Sequence, residues 1–125
     1  MSEREGIIID QEKGEKAEKK VYDMLDFLKM QKFIENFGQS FGFSETDYRG
    51  VDFEIYHHHW KKPIQIQVKS SFPKWPERKY LKRQGIHLLI CKPEDNSLQV
   101  LEKIYQILKS VIRAKNRAKA IKKRV

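Results

Sequence analysis

Three short segments carry the residue types that metal-dependent phosphodiester cleavage requires. They are Lys13-Gly14-Glu15-Lys16-Ala17-Glu18, Gly50-Val51-Asp52 and Gln67-Val68-Lys69-Ser70. The oxygens of Asp52 and Gln67 are hard donors of the kind that suits Mg²⁺ or Mn²⁺. Such a metal lowers the pKa of a bound water and neutralises charge building on a phosphate. The Lys69 ammonium can stabilise the transition state, and Glu18 can reach the site as an outer ligand or a water contact.

A predicted β-hairpin brings these polar residues together. Every second residue from Val51 to Ile55 is apolar, and so is every second residue from Ile64 to Val68. This alternation is typical of strands with one buried face, here joined by the connection 57–63. With the apolar set in the core, Asp52, Gln67 and Lys69 share the opposite face.

Helical spacing of apolar residues predicts a helix from about Lys13 to Met30, with Glu18 beside its buried stripe. The stripe consists of Ala17, Val21, Met24, Leu25 and Leu28. Residues 1–12 form either a loose N-terminal arm or a short strand through Ile7-Ile8-Ile9. Residues Phe33–Phe37 are expected to form a strand, with continuation of the helix as the alternative. The remaining expectations are a loop over 38–50, a helix at Pro76–Gln84, a buried strand at Ile86–Cys91, an edge strand at Leu98–Leu101 and a basic helix over 102–125. Together they predict one mixed α/β domain spanning residues 1–125.

The formal net charge of +9 is concentrated in the second half of the chain. Residues 1–62 contain 10 Lys/Arg and 13 Asp/Glu, whereas residues 63–125 contain 16 Lys/Arg and 4 Asp/Glu. Residues 113–125 contain seven basic residues and no acidic one. A one-sided basic surface attracts nucleic acid through counterion release. A solvated helix face and attraction to anionic membranes or ribosomes are the alternatives that charge alone leaves open. The predicted nucleic-acid-binding residues are Lys61, Lys62, Lys74, Arg78, Lys79, Arg113, Lys115, Arg117, Lys119, Lys122, Lys123 and Arg124.

Aromatic and histidine residues admit two interpretations each. Trp60, Trp75 and Tyr80 lie among cations, so they either stack on bases or cap the edge of the core. The run His57-His58-His59 is better explained as a polar hairpin loop than as a zinc site, because successive strand residues point to alternate faces.

Other features predict a protein of the reducing cytoplasm without membrane attachment. No apolar run approaches the ~20 residues that cross a bilayer, and the N-terminus lacks the pattern of a signal peptide. The single cysteine, Cys91, cannot form an internal disulfide and is expected to be a small core residue.

The motifs resemble those of the PD-(D/E)XK nuclease superfamily. Lys13-Gly14-x-x-Ala17-Glu18-x-x-Val21-x-x-x-Leu25 resembles the opening helix of archaeal Holliday-junction resolvases and of related restriction-type and homing endonucleases. Gly50-x-Asp52 resembles the metal-binding aspartate motif, and Gln67-Val68-Lys69-Ser70 resembles the Gln-x-Lys variant of some intron-encoded members. The resemblance covers about residues 13–91. It implies a restriction-endonuclease-like core, a small mixed sheet flanked by helices in the order αβββαβ, to which the basic C-terminal helix is added.

The resemblance also implies roles by position. Asp52 would be the central metal ligand, Gln67 would occupy the acidic-ligand position, and the Val68 carbonyl would be a further ligand. Lys69 would be the catalytic lysine and Glu18 the helix glutamate. The implied function is that of a Mg²⁺- or Mn²⁺-dependent endonuclease that acts on nucleic acid, with DNA favoured over RNA as the substrate. A homodimer is plausible because duplex or branched DNA often needs two cuts.

Gln67 departs from the family pattern, because a neutral amide stands where Glu or Asp is usual. Two other functions therefore stay open. One is an inactive nuclease fold that binds nucleic acid through its basic half. The other is a basic subunit of a nucleoprotein complex or of a larger nuclease assembly.

Overall fold

The computed structural model describes residues 3–40, 50–57 and 60–124, and the side chains of 14–40, 50–57 and 60–118. The order of elements is helix, three strands, helix, strand, helix, as predicted. The elements are α1 (Glu3–Met30), β1 (Asn36–Gln39), β2 (Phe53–Tyr56), β3 (Ile64–Lys69), α2 (Trp75–Arg83), β4 (His87–Ile90) and α3 (Ser97–Arg124).

The four strands form one mixed sheet in the order β1-β2-β3-β4. β1 and β3 both pair antiparallel to β2, so the predicted hairpin is confirmed. β4 lies parallel to β3, with Val68 opposite Leu89. The carboxyl ends of β1, β3 and β4 therefore meet the start of β2 at one end of the sheet.

The main core lies between the sheet and the two long helices. Phe53, Ile55, Ile64, Ile66 and Val68 are buried there, as their alternation predicts. The α1 stripe faces them through Ala17, Val21, Leu25 and Leu28, and α3 through Val100, Ile104 and Leu108. Burial of each large apolar side chain stabilises the fold by ~1.5–3 kcal/mol.

A second, smaller core lies under α2 on the other face of the sheet. It contains Val51, Leu81 and Ile86, with Leu88 packed against them. Leu88 and its neighbour Leu89 belong to different cores, which places α2 on the face opposite α1 and α3. Alternation predicts Val51 beside Phe53 in the main core, and this prediction is wrong. The regular pattern does not reach Val51, because β2 begins only at Phe53 and Gly50 has a φ of 81°.

Both long helices begin earlier than the sequence predicts. α1 begins at Glu3, so residues 3–12 are helical rather than an arm or a strand. The predicted edge strand Leu98–Leu101 lies instead in α3, which begins at Ser97. A reciprocal cap explains this start, because the Asn96 amide donates to the Gln99 side chain at 2.8 Å and the Gln99 amide to the Asn96 side chain at 2.9 Å.

The first strand begins three residues later than the predicted Phe33. Lys32 has a φ of 63°, and the Phe33 amide donates to the Leu28 carbonyl at 3.0 Å. The left-handed Lys32 and the bond from Phe33 back to Leu28, five residues earlier, form a C-cap that ends α1. The strand can therefore begin only after these capping residues. Residues 41–49 of the predicted loop lie outside the described residues. Within the described part of the chain, no helix has an apolar stretch long enough to cross a membrane.

A buried carboxylate fastens the two long helices to the loop after β4. Asp95 accepts from Lys103 of α3 at 2.5 Å and from the Lys92 amide at 2.9 Å. Lys20 of α1 donates to the Asp95 and Pro93 carbonyls at 3.0 and 2.8 Å. The hydrogen bonds from Lys103 and then from Lys92 hold the pKa of Asp95 below its usual value of 3.8.

This pKa makes stability depend on acid. A lowered folded-state pKa means that the Asp95 contribution is present above the unfolded value and is lost as the pH falls through the folded value. Asp95→Asn should therefore destabilise the fold at pH 7, and its deficit relative to wild type should shrink as the pH falls below 3.8. Urea unfolding over a pH series measures this. Glu94→Gln, at an exposed neighbour, is the control and should cost little at either pH. A deficit for Asp95→Asn that stays constant with pH would contradict the ionic role.

Candidate metal site at the end of the sheet

Asp52 lies just before β2, beside residues 66–68 of β3. Its amide donates to the Ile66 carbonyl at 2.9 Å, and its Oδ2 accepts from the Val68 amide at 2.7 Å. These two contacts bracket Gln67, so Asp52 lies beside the Gln-x-Lys segment. The carboxylate also has a structural task, since it satisfies a strand amide where the ladder between β2 and β3 ends.

Gln67 has a buried amide oxygen. Its Oε1 is the one buried side-chain nitrogen or oxygen, among the described residues, without a hydrogen-bond partner. Such a group costs about 1–3 kcal/mol when it stays unsatisfied, so the Gln67 oxygen is the acceptor of this region that still needs a partner. Gly50 makes room for the amide, because a Cβ there would lie 3.2 Å from Gln67 Nε2. The glycine is further required by its φ of 81°.

Val68 turns its backbone polar groups toward Asp52. The next residue, Lys69, accepts from the Cys91 amide at 2.8 Å across the β4 side of the strand. Successive residues of a strand direct their N–H and C=O groups to alternate sides. The Val68 carbonyl therefore lies on the same side as its amide, which bonds Asp52, and this is the side from which it could ligate a cation.

Lys69 follows Gln67 by two residues and shares its face of the sheet. Its Nζ lies 2.9 Å from a carboxylate oxygen of Glu77 on α2, and the two side chains are 36% and 42% exposed. Sequence reasoning missed Glu77, because this acid belongs to another element and only the packing of α2 on the sheet brings it to Lys69. The pair fixes the direction of the lysine while leaving it open to solvent.

Glu18 approaches the same end of the sheet from the opposite face. It lines a recess with Glu15, Lys19, Tyr22 and Gln39. Gln39 is the last residue of β1, and the next amide, of Ser40, donates to the Asp52 carbonyl at 2.9 Å. Glu18 therefore lies at the level of Asp52, but α1 packs on the main-core face, whereas Gln67 and Lys69 lie under α2.

The donors at Asp52 suit a hard divalent cation. They are one carboxylate, one amide oxygen and one backbone carbonyl, all oxygen donors of the kind that Mg²⁺ uses together with water. Within the described residues, no three side chains of His, Cys, Asp and Glu come together as a metal-binding group. A metal site at Asp52 would therefore need Gln67 and the backbone as its further donors.

The predicted nucleic-acid-binding lysines and arginines lie in three parts of the fold. Lys61 and Lys62 are exposed in the connection between β2 and β3, and Lys74, Arg78 and Lys79 are exposed at the start of α2. Arg113 and Arg117 are exposed on α3, and the side chains of Lys119, Lys122, Lys123 and Arg124 lie outside the described residues. Sequence reasoning missed Lys82 and Arg83, which share a pocket with Trp75, Arg78 and Lys79 on α2.

The aromatic residues divide between the two interpretations. Trp60 packs against the main core, with His57 at 4.9 Å between ring centroids and Lys115 Nζ 4.8 Å from its ring. Trp60 thus caps the core and holds α3 at Lys115. Trp75 is 60% exposed and Tyr80 43% exposed, so neither caps a core. His58 and His59 of the histidine run lie outside the described residues.

Comparisons with protein-family models, curated proteins and solved structures give no match to this chain.

Proposed function

We propose that this protein is a divalent-metal-dependent endonuclease that hydrolyses phosphodiester bonds of nucleic acid, with DNA as the preferred substrate. The observation that carries the proposal is the buried, unpartnered Oε1 of Gln67, a residue that lies between the two β3 residues bonded to Asp52 and two residues before Lys69. The αβββαβ order and the mixed sheet support a restriction-endonuclease-like core.

Each residue has a distinct task in this proposal. Asp52, the Gln67 amide oxygen and the Val68 carbonyl hold Mg²⁺ or Mn²⁺, which supplies an acidified water and neutralises phosphate charge when bound. Lys69 orients the attacking water and stabilises the negative charge of the transition state. Glu77 positions Lys69 through their 2.9 Å ion pair. Glu18 lies on the α1 side of the sheet, at the level of Asp52, and is not one of these ligands.

A substrate panel tests the function. The protein is incubated with single-stranded, linear duplex and branched DNA and with RNA, in Mg²⁺, in Mn²⁺ and in EDTA. We expect cleavage of at least one DNA substrate that depends on the metal and is internal rather than confined to the ends. Binding without cleavage in every arm would favour the inactive nucleic-acid-binding module instead.

Gln67→Glu should tighten metal binding. The change places a second carboxylate beside the cation, so we expect the half-saturating Mg²⁺ concentration to fall about tenfold, which corresponds to about 1.4 kcal/mol. The measurement is cleavage rate against Mg²⁺ concentration. Gln106→Glu, at an exposed position of α3, adds the same charge far from the sheet end and should leave the curve unchanged. An identical Mg²⁺ dependence for wild type and a folded Gln67→Glu variant would remove Gln67 from the ligand set.

A further inference from the structure

One face of α2 combines an exposed tryptophan with four cations. Trp75, Arg78, Lys79, Lys82 and Arg83 follow the spacing i, i+3, i+4, i+7, i+8 and line one shallow pocket. That spacing normally forms the apolar stripe of a helix that faces a core. Here it faces solvent, and α2 packs on the sheet through Leu81, its buried residue.

Trp75 is held in place and open at the same time. The Nζ of Lys79 lies 4.9 Å from the centroid of its ring, a geometry in which cation and ring attract each other. With 60% of the residue exposed, the indole still offers ring surface to a ligand. A planar ring among cations binds a ligand that has both an aromatic face and a negative charge, and a nucleotide has both.

This face adjoins the candidate metal site. Glu77, in the same first turn of α2 as Trp75, points to the sheet and pairs with Lys69. The two positions are separated by about one helix diameter, on the order of 10 Å. A base on Trp75 would therefore lie within a few nucleotides of a phosphate at Lys69.

We propose that Trp75 is a stacking platform for an unpaired base and that Arg78, Lys79, Lys82 and Arg83 hold the phosphates of the same strand. The bases of a duplex already stack on each other, so an exposed indole finds a free ring face in a single-stranded segment. The substrate class is then nucleic acid with an unpaired stretch beside the cleaved bond. The position of the cut rests on the proposed function, whereas the binding of unpaired bases does not.

The test measures binding in EDTA, where metal-dependent cleavage cannot occur. Fluorescence anisotropy is recorded for a labelled mixed-sequence DNA single strand and for its blunt duplex. Trp75→Ala should weaken single-strand binding roughly tenfold and change duplex binding less than about twofold, while Trp75→Phe should keep most of the affinity. Tyr105→Ala is the matched control, because Tyr105 pairs with Lys109 at 5.0 Å in the same i, i+4 arrangement on α3, and it should bind both probes as wild type does.

The outcomes separate this inference from the proposed function. Equal effects of Trp75→Ala on single strand and duplex, or no effect on either, would overturn the platform even if Mg²⁺-dependent cleavage is present. Selective loss of single-strand binding would support the platform even if no nucleic acid is cleaved. Thermal unfolding of each variant confirms that the fold is retained, and Trp75→Phe provides the comparison if Trp75→Ala is unstable.

Discussion

Lys69→Ala should reduce cleavage by about 10²–10⁴-fold, the range typical of a lost proton-transfer or charge-stabilising group, and leave nucleic-acid affinity nearly unchanged. In this proposal the nucleic-acid affinity is distributed over the exposed lysines and arginines of α2 and α3. One ammonium among 26 basic residues therefore contributes little to it. The measurement is the single-turnover rate, with anisotropy for affinity. Lys29→Ala, at the far end of α1, is the control and should cleave as wild type does.

Asp52 should be equally necessary for cleavage, but through the metal. Replacement by alanine would also leave the Val68 amide without its 2.7 Å acceptor, at a cost of about 1–3 kcal/mol. Asp52→Asn keeps an acceptor oxygen and removes the charge, so it separates catalysis from folding. We expect Asp52→Asn to fold, to bind nucleic acid and to cleave below detection. Undiminished cleavage by folded Lys69→Ala and Asp52→Asn variants would refute the site.

Deletion of residues 113–125 should have the largest effect on binding. The segment contains seven lysines and arginines. Each one that contacts a phosphate contributes about 0.9 to the slope of log affinity against log salt concentration. The slope should therefore become less steep by up to about six, and binding should weaken alike for all DNA sequences. Affinity measured across a salt series for the full chain and the truncation tests this.

The truncated chain should remain folded. Arg113, Ala114 and residues 116–118 are exposed. The deletion also removes the Lys115 ammonium from its position 4.8 Å from the Trp60 ring, an interaction worth ~0.5–1 kcal/mol at an exposed site. The double variant Lys16→Gln/Lys29→Gln removes two positive charges from α1. It controls for a general effect of lost positive charge on the salt dependence of binding. An unchanged salt slope after truncation would assign nucleic-acid contacts to the α2 face and the hairpin loop.

The sequence predicted the parts of the fold that depend on periodicity. Alternation from Phe53 to Val68 and the α1 stripe are local patterns enforced by burial, and the structure buries those apolar residues. Prediction failed where a terminus is set by capping. The Asn96–Gln99 pair is a capping signal that the sequence contains. The alternation of Leu98 and Val100 with Gln99 favoured an edge strand instead.

The sequence placed Gln67 and Lys69 correctly on the face away from the main core, because both follow from strand alternation. It could not predict the Lys69–Glu77 ion pair or the fit of Gln67 against Gly50, since these depend on how α2 and residue 50 pack on the sheet. The basic face of α2 was only half recognised for the same reason. In the sequence, Lys82 and Arg83 are indistinguishable from ordinary solvent-exposed charges. Only the packing of α2 on the sheet shows that they share a face with Trp75.

The most direct test of the central claim is the dependence of DNA cleavage on Mg²⁺ for the wild-type chain and for Asp52→Asn, prepared in parallel. A nuclease that holds its metal through Asp52 and Gln67 should show no cleavage in EDTA, a saturable rise in rate with Mg²⁺, and no such rise in the Asp52→Asn variant. Cleavage that persists in EDTA, or equal Mg²⁺-dependent cleavage by both proteins, would contradict the claim.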